Sequence, residues 1–291
     1  MTGNGSGKNY ENLLISGRRV VDFYVALKNT LYYVLGVVPS QTIIALVLAV
    51  ILNQKWLKGR GVFRTAFYFP SITSSVVISL IFVFLFTKGG PVNGLLQAIF
   101  PTFTPVTWLD NADGIIHNIL GLIGITKDNI GGWGSISFLN ITLWEWLSGP
   151  SVTMLMVMML AVWTTIGTMM VIYLAALQNI PGQVFEAAQV DGATAWQTFR
   201  NITLPLLRPT TFFVITISLI GTFQVFDQVY VISKGKPQDT TLTMAYLVFR
   251  NAFDPQRPAM GLAAATAIVL FIIIFIFTLI QRRVTGSDKA D

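Results

Sequence analysis

Few residues of this chain are of a type that does chemistry. There is no cysteine and a single histidine, His117, so neither a thiolate site nor a histidine cluster can be assembled for a metal. The stretch Gly3-Asn4-Gly5-Ser6-Gly7-Lys8-Asn9 looks like a phosphate loop and fails the pattern. Thr2 stands where the first glycine belongs, Asn9 stands where Ser or Thr would hold magnesium, and no strand precedes it. It reads as a flexible tail, and His117 as a structural histidine. The remaining candidates lie inside apolar runs. Trp163, Thr164, Gly167 and Thr168 form adjoining stripes at helical spacing. Phe223, Asp227 and Tyr230 follow i, i+4, i+7 spacing, with Gln224 adjacent. Flat apolar faces beside hydroxyl, amide and carboxylate groups make these residues candidates to line a path for a polar solute. Packing between helices accounts for small and polar residues as well, whereas Asp227 is expected to face a cavity or a polar partner.

The elements that position these groups follow from composition. The chain has 291 residues, 53% hydrophobic and only 11% charged, with a mean hydropathy of +0.66. That is too little charge to solvate a globular surface, and it disfavours a soluble enzyme, a disordered chain or a coiled coil. The expected fold is all-α and polytopic. Five runs are long and apolar enough to cross a bilayer, at about 31–52, 65–87, 151–177, 209–226 and 258–281. Pro39 and Pro70 are expected to kink or locally unwind the first two. The transmembrane domain is then 31–281. It is preceded by an external tail and interfacial helix over 1–30 and followed by a cytoplasmic tail over 282–291. Basic residues are denser in the short segments 53–64, 178–208 and 282–291, above all Lys55, Lys58, Arg60 and Arg64, which places those segments inside. Arg18, Arg19 and Lys28, just before the first run on the opposite side, dissent. No apolar signal region precedes residue 30. The long external segment 88–150 holds two short apolar pieces, 115–125 and 136–147, which read as interfacial or re-entrant helices, with Trp133, Trp144 and Trp146 at headgroup level.

Residues 178–209 do not read as an ordinary loop. Pro181 suits the start of a helix over 184–190, and Gly192 can take a positive φ and end it. Thr194-Ala195-Trp196-Gln197 is a capping box that opens a second helix, with Phe199 and Ile202 on one face. Pro205 and Pro209 stop that helix. The product is a helix–turn–helix hairpin with small residues at Ala187, Ala188 and Gly192. An Ala-to-Gly spacing of this kind also occurs in DNA-binding hairpins. Membrane confinement and only Arg200 and Arg208 as positive charges argue against nucleic acid. A structural hairpin packed on its own spans is the other alternative.

Glu186-Ala187-Ala188, three residues, Gly192, nine residues, Ile202, one residue, Leu204-Pro205 resembles the EAA signature of bacterial ABC-importer permeases. The wider stretches Glu186–Trp196 and Leu204–Pro209 look like the carbohydrate-uptake branch, similar to maltose and multiple-sugar permeases. So do Phe223–Tyr230, Gly59–Arg64 and Leu177–Pro181. The resemblance covers roughly 10–283. It implies that Glu186, Ala187, Ala188, Asp191, Gly192, Ile202, Leu204 and Pro205 couple the spans to a separate ATPase dimer. That dimer binds ATP and magnesium, so this chain has no cofactor of its own and is not an enzyme. It also implies a second homologous permease, an external solute-binding protein, a sugar as cargo, import as the direction, and a multi-pass place in a bacterial cell membrane. Family members usually carry six spans, the first absent here. Asn9–Leu14 and Asn29-Thr30 look like the external part that follows it, so an upstream span is expected. Lys234-Gly235-Lys236-Pro237 stands where the family often has Gly-Gly-Pro. An ion-coupled secondary transporter would favour buried carboxylates near mid-span, which the sequence lacks. An intramembrane enzyme lacks a nucleophile–base pair. Within the family, a permease for glycerol-phosphate-like or other polar solutes is the alternative to a sugar carrier.

Overall fold

The computed structural model describes residues 6–15, 19–54, 56–127, 129–255 and 258–285. The first residues of the glycine-rich stretch, Arg18, Lys55 and the last six residues lie outside these. Helices run over Ser6–Leu14 (α1), Val20–Asn53 (α2), Arg60–Ile72 (α3), Ser75–Phe86 (α4), Pro91–Ile99 (α5), Ile115–Leu122 (α6), Leu143–Trp146 (α7), Val152–Gln178 (α8), Gly182–Val190 (α9), Ala195–Thr198 (α10), Leu204–Leu206 (α11), Arg208–Phe223 (α12), Asp227–Ile232 (α13), Met244–Phe253 (α14) and Met260–Thr285 (α15). Two-residue strands Ser137–Phe138 (β1) and Ile141–Thr142 (β2) form an antiparallel hairpin. The fold is all-α in substance. Among the described residues, five stretches are long and apolar enough to cross a membrane: Val20–Asn53, Ser75–Ile99, Val152–Gln178, Arg208–Ile232 and Met260–Val284.

Several expected bounds change. The first span is not preceded by a separate tail up to residue 30, because α2 already begins at Val20. Residues 6–9 of the supposed flexible tail are the first turn of α1. Arg282 and Arg283 belong to the last turn of α15 rather than to a tail. The helix continues through Pro39. The run 65–87 is not one helix. It breaks at Thr73 and Ser74, both extended in ψ, three residues after Pro70. The Ser71–Ser75 stretch is rich in hydroxyls, a type that competes for backbone groups, and Thr73 Oγ1 donates to Phe69 O at 3.0 Å. The piece 136–147 is the β-hairpin followed by one helical turn rather than a helix.

Two compact units emerge. The first comprises Met1–Gly36, Ser74–Ala161 and Gly221–Ile274. Here α13 packs on α4, around Ile78, Phe82, Met156 and Leu160. Gly36 sits against the methyl end of the Met158 side chain. The buried pair Asn29 and Thr30 pins the 239–244 turn: Asn29 Nδ2 donates to Asp239 O at 2.8 Å and Leu242 O at 3.0 Å, and Met244 N donates to Thr30 Oγ1 at 2.9 Å. Arg250 bridges Asp22 at 2.9 Å and Asp239 at 2.8 Å. Within 88–150, the buried Asn93 gathers the chain. Its Nδ2 donates to Lys88 O and Val106 O at 2.9 Å each, and its Oδ1 accepts from Trp108 Nε1 at 2.9 Å. His117 is structural: Nε2 lies 2.9 Å from Trp144 O, and the two rings stack at 4.1 Å.

The second unit comprises Val37–Thr73, Val162–Ile220 and Phe275–Asp291. Its core is Ala45, Ala49 and Leu52 of α2 with Met169, Met170, Tyr173, Leu174 and Leu177 of α8, closed by Leu207 and Val214. Gln41, buried, accepts from Thr165 Oγ1 across the two helices. Gln281 Nε2 donates to Phe212 O at 3.0 Å and so ties α15 to α12.

Candidate functional site

The hairpin forms as its residue types require. Pro181 caps α9, which ends in two reverse hydrogen bonds. Gly192 N donates to Gln189 O at 3.1 Å and Ala193 N to Ala188 O at 2.9 Å. This is the double closure made by a residue in the left-handed region just past a helix, and Gly192 supplies it at φ +71°. Thr194 then caps α10 reciprocally, Gln197 N donating to Thr194 Oγ1 at 3.3 Å and Thr194 N to Gln197 Oε1 at 2.8 Å. Pro205 does not stop the second helix. A wide π turn over Phe199–Thr203 leads into α11, with Leu204 N bonded to Phe199 O. A proline ring collides with the carbonyl four residues back in a regular α-helix, and the widened turn lies where that carbonyl would be. Pro209 likewise sits near the start of α12, where a proline is tolerated.

The hairpin is anchored at its base and bare at its tip. Ala188, Thr203 and Leu207 are buried, Leu207 in the core beside Leu177. Ile202 and Pro205 are half-buried and Leu204 is 39% exposed. Glu186, Ala187, Asp191 and Gly192 are exposed. Val190 is 87% and Trp196 65% exposed, the Trp196 ring lying 5.7 Å from that of Phe199. Among the described residues beyond its chain neighbours, no atom lies within 4 Å of where a Cβ on Gly192 would stand, so its conformation, not crowding, demands glycine. Val190 and Trp196 carry the largest bare apolar surface of the hairpin. The EAA spacing does not single them out, although an apolar residue at the end of a short helix and a tryptophan inside a capping box are visible signals.

The second set of candidates divides. In the second unit, Trp163 is 44% exposed, and Thr164 and Thr168 are half-buried on α8. Gly167 serves a helix crossing: a Cβ there would meet Phe67 O at 2.2 Å and Tyr68 Cα at 2.7 Å. Thr165, which the stripe passed over, is the residue that bonds Gln41. In the first unit, Phe223, Gln224, Asp227 and Tyr230 do not share one helix face, because α12 ends at Phe223 and α13 starts at Asp227. Phe223 is buried, Gln224 and Asp227 are exposed, and Tyr230 is 41% exposed. Tyr230 belongs to an aromatic cluster, 5.4 Å from both Phe226 and Phe249. The break is stabilised from outside, Thr243 Oγ1 donating to Val225 O at 3.1 Å. A non-helical stretch within a membrane run needs such partners and marks backbone turned toward protein or a cavity. Tyr33 donates to Gln228 Oε1 at 2.9 Å, a contact with no signal in the spacing.

Comparison with known proteins agrees with this architecture. Residues 29–286 match the family described as binding-protein-dependent transport system inner membrane component. The arabinooligosaccharides transport system permease protein AraP of Bacillus subtilis is 31% identical over 270 residues, which are 92% of this chain and 74% of that protein. The lactose transport system permease protein LacF of Rhizobium radiobacter is 30% identical over 261 residues, 89% of this chain and 74% of that one. Among solved structures, a chain of a bacterial ABC transporter involved in import of the acidic polysaccharide alginate superposes with a TM-score of 0.69 at 23% identity, covering 96% of this chain and 82% of its own. The chain therefore belongs to the inner membrane components of binding-protein-dependent transport systems, as a multi-pass protein of the cell membrane.

Proposed function

We propose that the chain is a permease subunit of an ATP-driven importer and forms, with a second homologous permease, the path for a sugar delivered by an external solute-binding protein. Relatives named for arabinooligosaccharides, lactose and starch degradation products support an oligosaccharide or sugar derivative as cargo. The hairpin 182–206 is the element that docks on the ATPase dimer, and ATP and magnesium are held there rather than on this chain. In this reading the segments 53–64 and 178–208 face the cytoplasm and 88–150 faces outward. Trp163, Thr164, Thr168, Phe223, Gln224, Asp227 and Tyr230 are candidates for the sugar path, the last four at a helix break rather than along a stripe.

The observation that carries the proposal is the tip of the hairpin. A glycine-closed turn and a capped helix hold Glu186, Val190, Asp191 and Trp196 bare on a base that is firmly buried. Gly192→Asp tests it. The substitution adds a charge at the tip and forces a non-glycine residue to positive φ, at a cost of about 1 kcal/mol. Uptake by the complete system is expected to be abolished and ATPase co-purification to fall, with permease abundance in the membrane retained and sugar capture by the binding protein unchanged. Normal uptake at normal abundance removes the docking role from the hairpin, and loss of abundance alone makes it a structural hairpin. Single cysteines at Lys58 and Gln197 test the sidedness, since both are expected to resist membrane-impermeant thiol reagents in intact cells.

A further inference from the structure

The loop between α2 and α3 and the first turn of α3 lie wholly in the second unit and combine charge with bare aromatic surface. Lys58 is exposed, and Arg60 and Arg64 are half-buried. Trp56 is 73%, Val62 73% and Phe63 45% exposed. Gly59, at φ +77°, turns the chain into α3, and Arg60 Nε donates to Leu57 O at 3.0 Å, which fixes the turn around its cations. Arg60 and Arg64 are four residues apart on one helix face, a spacing at which like charges repel. Arg64 Nε is shielded from solvent and has no hydrogen-bond partner among the described residues. No acidic residue occurs in the sequence between Asp22 and Asp110. The described carboxylates of this unit, Glu186 and Asp191, sit on the hairpin.

We propose that residues 56–64 form a binding site for the headgroup of an anionic phospholipid in the cytoplasmic leaflet. Lys58, Arg60 and Arg64 neutralise the phosphate, while Trp56, Val62 and Phe63 seat in the boundary between headgroups and acyl chains. Charge complementarity selects this occupant: a basic stretch with no acidic residue in its own sequence, rimmed by tryptophan and bare apolar side chains, matches a negatively charged interface. The site does not depend on what the hairpin docks against.

The chain has no cysteine, so a cysteine at Gln54 takes a fluorophore at one place in a complex whose other subunits are cysteine-free. The assembled transporter is placed in phosphatidylcholine nanodiscs containing small amounts of phosphatidylglycerol or phosphatidylcholine that carry a nitroxide at the top of one acyl chain. Quenching per labelled lipid is expected to be at least about threefold stronger for phosphatidylglycerol. The preference is expected to weaken with salt, to vanish in the combined Lys58→Gln, Arg60→Gln, Arg64→Gln variant and to persist in Arg60→Lys with Arg64→Lys. Equal quenching by the two lipids in the otherwise unaltered chain overturns the proposal, whether or not the glutamine variant assembles. So does a preference that survives the glutamine variant. Quenching that emerges only after the ATPase is stripped away also overturns it, by giving the surface to a protein partner.

Discussion

Two four-residue helices in this chain begin with the same device and end in opposite surroundings. Thr142 caps α7 with Glu145, at 3.3 and 3.0 Å, and Thr194 caps α10 with Gln197, at 3.3 and 2.8 Å. The first cap is tied to its own unit by hydrogen bonds, although Glu145 itself is exposed. Glu145 O accepts from Lys28 Nζ at 3.3 Å, Trp146 O accepts from the Tyr32 hydroxyl, and Trp146 Nε1 donates to Phe138 O at 3.1 Å. Trp144 is stacked on His117. The second cap leaves Trp196 with one aromatic neighbour, on its own turn, and a bare face. A capping box satisfies the orphan donors at a helix start wherever it occurs, so it says that a helix starts and nothing about its task. The task follows from what is left unpaired. In α7 the carbonyls and aromatic rings are spent on internal contacts, and in α10 apolar surface remains for another molecule.

The largest effects separate the two turns through their glycines. Gly149, at φ +70°, follows α7 and is crowded: a Cβ there would stand 2.7 Å from Ile116 Cγ1 and 3.2 Å from Ile116 N. Gly149→Ala combines strain with overpacking, at about 2–4 kcal/mol, and membrane abundance is expected to fall severalfold by immunoblot. Gly192→Ala meets open space, costs about 1 kcal/mol and is expected to leave abundance nearly unchanged. Equal losses of abundance would erase the contrast. Next come the tryptophans. Trp146→Ala removes a hydrogen bond and a ring packed near Phe138, and it is expected to loosen the 137–147 segment with increased protease sensitivity. Trp196→Ala is expected to spare the fold and to lower ATPase co-purification severalfold, because bare tryptophans are frequent anchors of interfaces. Reversed outcomes would exchange the roles assigned to the two helices.

What the sequence made legible was local chemistry in each case. Five apolar runs, the Thr194 box and the positive φ of Gly192 could be read because each depends on a few neighbouring residues. The break at Thr73 and Ser74 was hidden by apolar residues on both sides, and the hydroxyl residues at it do not interrupt hydropathy. The break after Phe223 was hidden because its freed carbonyl is satisfied by Thr243, eighteen positions away. A far longer separation, 210 to 214 positions, hid the pinning of the 239–244 turn by Asn29 and Thr30. Those two residues could be noted as a pair, but not assigned a contact. Thr142-Leu143-Trp144-Glu145 carries the same signature as the Thr194 box and was legible in principle. It was masked by its place in an apolar piece that read as a helix.

Removing the caps themselves sharpens the comparison at a smaller scale. Thr142→Ala and Thr194→Ala each delete one side-chain acceptor from nearly the same geometry, and each is expected to cost about 1 kcal/mol of local stability. Hydrogen exchange at the Glu145 and Gln197 amides reads both. Similar acceleration at the two sites is expected, since the device is the same. A much smaller effect at Glu145 would mean that the contacts from Lys28 and Tyr32 hold α7 without its cap.

The smallest expected effect concerns how the chain arrives at each cap. Thr194 is entered through Gly192, which takes positive φ without strain. Thr142 is entered through a two-residue hairpin turn in which Leu139 and Asn140 lie at φ +54° and +58°. Such turns favour Asn and Gly, because both central residues must be left-handed, and a leucine there strains against its own Cβ. Leu139→Asn keeps a side chain, so the unfolded chain gains little extra freedom, and it replaces the disfavoured residue with one that tolerates the conformation. The gain is expected to be at most about 1 kcal/mol, or up to roughly fivefold slower exchange at the Leu143 amide, which donates to Ile136 O at 2.8 Å across the hairpin. Uptake should not change. If exchange does not slow, the strain at Leu139 is absorbed by the contacts around α7, and that cap owes its position to its hydrogen-bonded surroundings rather than to its turn.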